Sequence, residues 1–231
     1  MTRRVWLNID LGELADEPEG LYAAAHIANI ACGGHAGDAA SMTEALARCK
    51  RHGTLAGAHP SYPDRANFGR TRMKIDPHAL RASVASQCDS LVDLAEPAGV
   101  VLHFMKPHGA LYHAAHGDEA IADAVIAGAI ESLGYEIRIL GPAGGALAEA
   151  CRRAGVALEA EGFADRTMRA DGSLVPRTEP NALVTDPGRA AEQARTLLRD
   201  GRFDTLCVHG DTPGALAIAT AVRKVIEEFA G

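Results

Sequence analysis

The stretch VLHFMKPHGALY, residues 101–112, decides the fold because it changes from strand-like to helix-like within one short segment. Its first half, Val101–Lys106, has the length and apolar content of a strand that is covered on both faces. The turn Pro107-His108-Gly109 follows, and a longer helix-like run comes after it. The same strand–turn–helix order recurs along the chain, which predicts parallel strands joined by right-handed crossovers.

Seven segments have this strand character. They are Val5–Asp10, Ile27–Cys32, Leu55–His59, Val101–Lys106, Glu136–Leu140, Leu158–Phe163 and Thr205–His209. Seven units that close on themselves predict an α/β fold, a TIM-like seven-stranded parallel (β/α) barrel, and an open doubly wound sheet is the alternative. The 231 residues are enough for a compact barrel, so we expect one domain over residues 1–231.

Helix starts are marked by residues that cap the first turn. Ser41-Met42-Thr43-Glu44 has the pattern of a capping box. Asp76-Pro77, Asp186-Pro187 and Thr212-Pro213 each place a capping side chain before a proline at the first helical position. Each start follows a predicted strand, as the barrel requires.

Composition excludes several function classes. The net charge of −7 and the lack of a basic stripe argue against nucleic-acid or membrane-surface binding. The first residues, MTRRVWLNID, have no apolar core of a secretory signal, and the sequence has no apolar stretch long enough to span a membrane. Five dispersed cysteines suit reduced thiols, so we expect a cytoplasmic protein.

Polar motifs follow most of the predicted strands. Four histidines, His35, His59, His108 and His209, lie at strand ends beside Gly or Pro. In a (β/α) barrel these positions converge on the carboxyl-terminal face, where active sites are built. Four histidines at equivalent positions therefore predict one shared pocket, although any one of them alone is more often a hydrogen-bonded loop residue.

The residue types in this ring suit hydrolysis. Asp10, His35 and His59 have the composition of a divalent-metal site with an open position, and an Asp–His hydrogen-bond network without metal is the alternative. Lys106 is expected to bind a substrate carboxylate or to stabilise an oxyanion. Arg166 and Arg177 are further candidates for a carboxylate clamp, and a structural salt bridge is the more common role for a residue such as Arg177. The sequence has neither the phosphate-binding loop of an ATPase nor a G-x-S-x-G nucleophile motif.

The motifs together resemble those of the LamB/YcsF family, the A subunit of bacterial 5-oxoprolinase. The matching segments span nearly the whole chain. They are LNIDLGE (7–13), NIACGGHAGD (29–38), GAHPSYPD (57–64), FGR (68–70), KPHGALY (106–112), FADR (163–166), LVPR (174–177) and VHGDTPGA (208–215).

The resemblance implies a seven-stranded barrel related to glycoside-hydrolase and polysaccharide-deacetylase barrels. It also implies ATP-dependent opening of 5-oxo-L-proline to L-glutamate together with separate B and C subunits. We expect these partner subunits to supply most of the ATP-binding site. Two alternatives stay open, a metal-dependent deacetylase or amidase that acts alone and a non-catalytic lactam-binding subunit. Homo-oligomerisation is also open.

The motif residues divide into two expected roles. Catalysis is expected from Asp10, His35, His59, Lys106, His108 and Asp211. Substrate binding is expected from Asn8, Glu13, Asp38, Arg70, Asp165, Arg166 and His209.

Overall fold

A computed structural model describes residues 4–169 and 174–230. Its seven parallel strands form one closed barrel in chain order, because β1 pairs with both β2 and β7. The strands are β1 (Trp6–Leu11), β2 (Ile27–Ala31), β3 (Leu55–His59), β4 (Leu102–Met105), β5 (Arg138–Gly141), β6 (Ala157–Phe163) and β7 (Thr205–His209). The predicted barrel is confirmed, and the open sheet is excluded.

Helices surround the barrel. They are α1 (Gly20–Ala24), α2 (Ala39–His52), α3 (Pro77–Ala98), α4 (Gly109–Gly117), α5 (Glu119–Leu133), α6 (Gly145–Ala154), α7 (Pro187–Asp200) and α8 (Ala215–Ala230), with a 3₁₀ helix at Arg65–Asn67. Their apolar faces and the outward side chains of the strands form the main core. Among the described residues, no helix combines the length and the apolar character needed to cross a membrane.

Two of the predicted helix starts are confirmed and two need correction. The carboxylates of Asp76 and Asp186 accept backbone hydrogen bonds ahead of a proline, as expected. At α2 the cap is Asp38, and Ser41 is its reciprocal partner rather than the first residue of the box. The Thr212 hydroxyl does not cap α8, because it donates to the Asp165 carboxylate at 2.6 Å.

The barrel interior has an apolar base and a polar upper part. At the base, Ile27, Phe104 and Leu140 form a separate buried cluster with Trp6 and Leu55. Trp6, Ile27 and Leu55 begin β1, β2 and β3, so this cluster lies at the amino ends of the strands. The polar side chains lie towards the carboxyl ends, where the barrel opens.

Candidate active site

A cavity of about 560 Å³ lies over the carboxyl ends of the strands. Eight of the residues singled out from the sequence line it, namely Asp10, His59, Arg70, Lys106, His108, Arg166, Arg177 and His209. They come from β1, β3, β7 and from loops after β3, β4 and β6. The predicted convergence of the motifs on one pocket is therefore observed, although their chemical roles stay predictions.

Lys106 occupies the centre of the cavity floor. Its Nζ atom lies 3.0 Å from Asp10 Oδ1, 2.9 Å from Glu161 Oε1 and 3.1 Å from Cys207 Sγ. Burial disfavours the charged lysine, but the Asp10, Cys207 and Glu161 side chains outweigh it and hold the Lys106 pKa well above its ordinary value. The floor of the cavity therefore carries a fixed ammonium group.

Asp10 is oriented by a chain of amides inside the barrel. The Asn29 amide donates to Asp10 Oδ1 and to Asn8 Oδ1, both at 2.8 Å, and the Asn8 amide donates to Thr205 Oγ1 at 2.9 Å. Burial opposes ionisation of Asp10, yet His59 and Lys106 hold its pKa well below the ordinary value. Asp10 is therefore a carboxylate with a set direction.

Glu13 gathers three of the histidines. Its Oε1 atom lies 2.9 Å from His35 Nε2, 3.2 Å from His108 Nδ1 and 3.7 Å from His59 Nε2. The His35 and His108 rings are parallel within 1° and stack with centroids 3.6 Å apart. Glu13 was expected to bind substrate, but in the structure it is a partner of the histidines and is not part of the cavity lining.

The three histidines differ in charge. Burial lowers the pKa of His35 to about 4 and also lowers that of His108. Burial acts on His59 in the same direction, but the Asp10 and Glu13 carboxylates outweigh it and raise the pKa of His59. Near neutral pH, His35 and His108 are therefore neutral rings beside a more basic His59.

A second carboxylate–histidine pair lies across the cavity. His209 Nδ1 lies 3.0 Å from Asp165 Oδ1, while its Nε2 lies 3.9 Å from Asp10 Oδ2. Asp165 also accepts hydrogen bonds from the His209 backbone N–H at 2.9 Å and from the Thr212 hydroxyl. These bonds fix the imidazole so that its Nε2 faces the cavity.

Arg70, Arg166 and Arg177 line the cavity. Asp211 is paired with Arg70 and with Arg177, whose Nη1 lies 3.1 Å from Asp211 Oδ2. Arg166 instead donates to the carbonyls of Val175, at 2.7 Å, and Ala182, at 3.3 Å. Arg177 thus has the salt-bridge role, and Arg166 keeps its charge available to a ligand.

The residues that come together as metal donors differ from the expected set. Glu13, His35, His59 and His108 have donor atoms within 4.8 Å of one another. Asp10 falls instead into a second such group with Cys207 and His209. Two members of the second group, Asp10 and Cys207, already contact the Lys106 ammonium. The expected Asp10–His35–His59 set stays a prediction, since Asp10 Oδ2 lies 3.4 Å from His59 Nε2 but falls outside the group that contains His35.

Asp38 lies outside the cavity. Its carboxylate accepts a hydrogen bond from the Ser41 backbone at 2.9 Å and caps α2 on an exposed surface. Nothing in these contacts points to a substrate. In the long loop between β6 and α7, residues 170–173 lie outside the described part of the chain.

Three buried polar residues of the site were missed by the sequence analysis. Asn29 orients Asp10, Glu161 neutralises Lys106, and the Tyr112 hydroxyl is buried beside Glu161. For Asn29 and Glu161 the available signal was a polar residue inside a strand predicted to be covered on both faces, as in IANIA and ALEAEGF, whereas Tyr112 lies on α4 and had no such signal. Such residues need a buried partner, so they point into the site.

Comparison with known proteins identifies the family that the sequence motifs resemble. The model of the LamB/YcsF family matches residues 5–230. The chain belongs to the LamB/YcsF family. A family relative, the A subunit of 5-oxoprolinase from Chloroflexus aggregans, is 42% identical over 239 residues, covering 96% of this chain and 94% of the relative.

Solved structures place the fold of this LamB/YcsF member among known barrels. The lactam utilization protein of Thermus thermophilus superposes with a TM-score of 0.89 at 33% identity, over 97% of this chain and 96% of that one. A T48 deacetylase superposes with a TM-score of 0.53 at 13% identity, over 98% and 85%. The second likeness concerns the fold alone, and it shows that a deacetylase barrel has a similar architecture.

Proposed function

We propose that this chain is the A subunit of a 5-oxoprolinase, which opens 5-oxo-L-proline to L-glutamate in an ATP-consuming reaction with B and C subunits. The observation that carries the proposal is the cavity, which combines an oriented carboxylate–histidine pair, a fixed ammonium and a buried arginine. The names of two similar proteins, the A subunit of 5-oxoprolinase and the lactam utilization protein, support it.

The lactam must gain water at its carbonyl carbon and lose its C–N bond, with a proton delivered to the departing nitrogen. His209 is the proposed base, because its Nδ1 is held by Asp165 and its Nε2 faces the cavity. A neutral imidazole oriented by a carboxylate accepts a proton from water and returns it to a leaving amine. Asp10, 3.9 Å from His209 Nε2, helps to place the water.

Two cationic side chains suit the two polar groups of the substrate, its lactam carbonyl and its carboxylate. Lys106 on the floor stabilises the negative charge that develops on the carbonyl oxygen, as fixed donors do in low-dielectric sites. Arg166, which is buried and lines the cavity, binds the substrate carboxylate, since its own hydrogen bonds go to carbonyl groups. Tyr112 lines the same cavity beside Glu161, and its hydroxyl can donate to the substrate.

ATP enters the proposal through the partner subunits. An amide carbonyl is a poor electrophile, and phosphoryl transfer from ATP to its oxygen would activate it. Water would then add at the carbonyl carbon, the nitrogen would leave with a proton, and a second water would release inorganic phosphate from the resulting acyl phosphate. The sequence has no recognisable nucleotide loop, so we assign ATP binding mainly to the B and C subunits.

The test is 5-oxoproline-dependent ADP release by the three purified subunits. Asp165→Asn keeps the size of the side chain but removes the charge that orients His209, so turnover should fall by about 10²–10⁴-fold. Asp76→Asn is the matched control, because Asp76 caps α3 on the surface and asparagine caps equally well. Wild-type turnover in both Asp165→Asn and His209→Asn would refute the proposed base.

The donor group around Glu13 favours one second candidate, a metal-dependent amidase or deacetylase that acts alone. That enzyme would hydrolyse an amide with the purified chain and a divalent ion, with no ATP and no partner. Amide hydrolysis under those conditions would replace the first proposal.

A further inference from the structure

His59 and His108, which line the cavity, each direct a ring nitrogen at the other ring, and both of these nitrogens carry a lone pair. His59 Nδ1–H donates to the Lys106 carbonyl at 2.7 Å, and His108 Nε2–H donates to the Phe68 carbonyl at 3.0 Å. A carbonyl oxygen only accepts, so each neutral ring keeps its proton on the outer side. The inner nitrogens, His59 Nε2 and His108 Nδ1, are 3.0 Å apart and both are acceptors.

Glu13 supplies a third acceptor at the same point. Its Oε1 atom lies 3.2 Å from His108 Nδ1 and 3.7 Å from His59 Nε2, which completes a triangle of lone pairs. Two ligands at about 2.0–2.1 Å from a tetrahedral ion lie roughly 3.3 Å apart, in the range of these three separations. We propose that Glu13, His59 and His108 bind one divalent transition-metal ion of the zinc type.

His35 positions this site without being a ligand of the same ion. Its ring is parallel to that of His108, with centroids 3.6 Å apart, so an ion in the plane of one ring lies out of the plane of the other. The His59 and His108 rings, by contrast, cross at 88°, and both can point at one centre. His35 Nε2 lies 2.9 Å from Glu13 Oε1 and donates to it, which orients the carboxylate.

The outer contacts are those that metal-binding histidines make. Such histidines donate their other N–H to a backbone carbonyl or a carboxylate, which selects the tautomer and orients the ring. A proton on His59 Nε2 would satisfy only one of the acceptors that face it, which lie at 3.0 Å (His108), 3.4 Å (Asp10) and 3.7 Å (Glu13). An ion satisfies three donors at once, and two imidazoles with one carboxylate suit zinc and its neighbours in the first transition row.

The site adjoins the cavity but does not depend on the proposed reaction. His59 and His108 line the cavity, so a bound ion would supply Lewis-acid polarisation to a ligand held there. The inference rests on the geometry of the side chains alone. It can fail while the 5-oxoprolinase proposal holds, and the reverse is also true.

The test is metal binding by the purified full chain, stripped with a chelator and titrated with Zn²⁺ and with Co²⁺. We expect one ion per chain by calorimetry and elemental analysis. The visible absorption bands of the Co²⁺ form should be those of a tetrahedral, four-coordinate site. Glu13→Gln, which keeps the side-chain shape, and His108→Ala should each weaken binding by more than about 100-fold. His35→Ala should weaken it by about 10–100-fold, as is usual for groups that orient a ligand.

The matched control is His78→Ala, which removes an exposed histidine at the start of α3 and should bind metal as the wild type does. Circular dichroism establishes that each variant is folded, and Glu13→Gln remains informative if a histidine variant is not. If the wild-type chain binds neither ion, the metal site is refuted. The facing nitrogens of His59 and His108 would then share a proton instead. Binding that Glu13→Gln and His108→Ala leave unchanged places the ion elsewhere and also refutes it.

Discussion

Replacing Lys106 by methionine tests whether one ammonium group compensates two buried carboxylates. Lys106 Nζ lies 3.0 Å from Asp10 Oδ1 and 2.9 Å from Glu161 Oε1, and both carboxylates are buried. Methionine keeps the length and the apolar part of the side chain, so the change removes the charge with little loss of packing. Glu161 then loses its ion pair.

The expected cost follows from this geometry. Removing one member of a buried ion pair costs about 3–5 kcal/mol, because the partner charge stays buried without compensation. In a domain of this size each kcal/mol lowers the melting temperature by about 2–4 °C, so Lys106→Met should melt about 6–20 °C below the wild type. Lys224→Met on α8 is the control. Lys224 lies 3.9 Å from Glu228 in an exposed pair, and its loss should cost at most about 1 kcal/mol.

A double variant separates charge compensation from packing. Glu161→Gln in the Lys106→Met background removes the unpaired carboxylate, so the double variant should be more stable than the sum of the two single effects by at least about 1 kcal/mol. Free energies of unfolding come from urea denaturation followed by circular dichroism. A cost below about 1 kcal/mol for Lys106→Met, or strict additivity in the double variant, would show that Lys106 does not compensate Glu161.

Two further predictions concern stability and site geometry. Burial, with Arg223 and Arg4 nearby, lowers the pKa of His26 to about 4, so the folded state binds fewer protons than the unfolded state. Stability should therefore fall as the pH drops from 6.5 towards 4, and His26→Asn should flatten that slope in urea titrations, whereas an unchanged slope would exclude His26 as a source. Gly69→Ala should cost about 1–3 kcal/mol and displace the stacked histidines, because Gly69 has φ +64° and a Cβ there would lie 2.9 Å from His35 Cβ. Chemical denaturation and histidine NMR shifts measure both effects, and wild-type values would contradict the prediction.

The barrel could be predicted because its signal is local. Each strand candidate is a short apolar run, and predicted bounds such as Leu55–His59 and Thr205–His209 coincide with the observed ones. The closure of the barrel is not local, but seven alternating units leave few other arrangements. The polar ends of the strands then fall on one face, which is why the pocket could be predicted together with the fold.

The pairing inside the barrel could not be predicted in the same way. Glu159 and Glu161 lie on the same side of β6, yet Glu159 pairs with Arg138 and Glu161 with Lys106. Which cation each one meets depends on the stagger of the closed sheet, which no single strand encodes. The sequence therefore predicts only a substrate contact for Lys106 and does not indicate that Glu161 is its partner.

The donor set around Glu13 shows why residue types at strand ends are insufficient to define a metal site. The inner nitrogen of His108 is an acceptor because its outer N–H meets the Phe68 carbonyl, and Phe68 adopts a left-handed conformation with φ 53°. A non-glycine residue in that region costs free energy and persists only where surrounding contacts hold it. Here the Phe68 ring packs edge-on against His35 and His108. The direction of the His108 Nδ1 lone pair thus depends on the strained backbone at Phe68, some forty residues away in the chain. A sequence motif centred on His108 does not contain that residue.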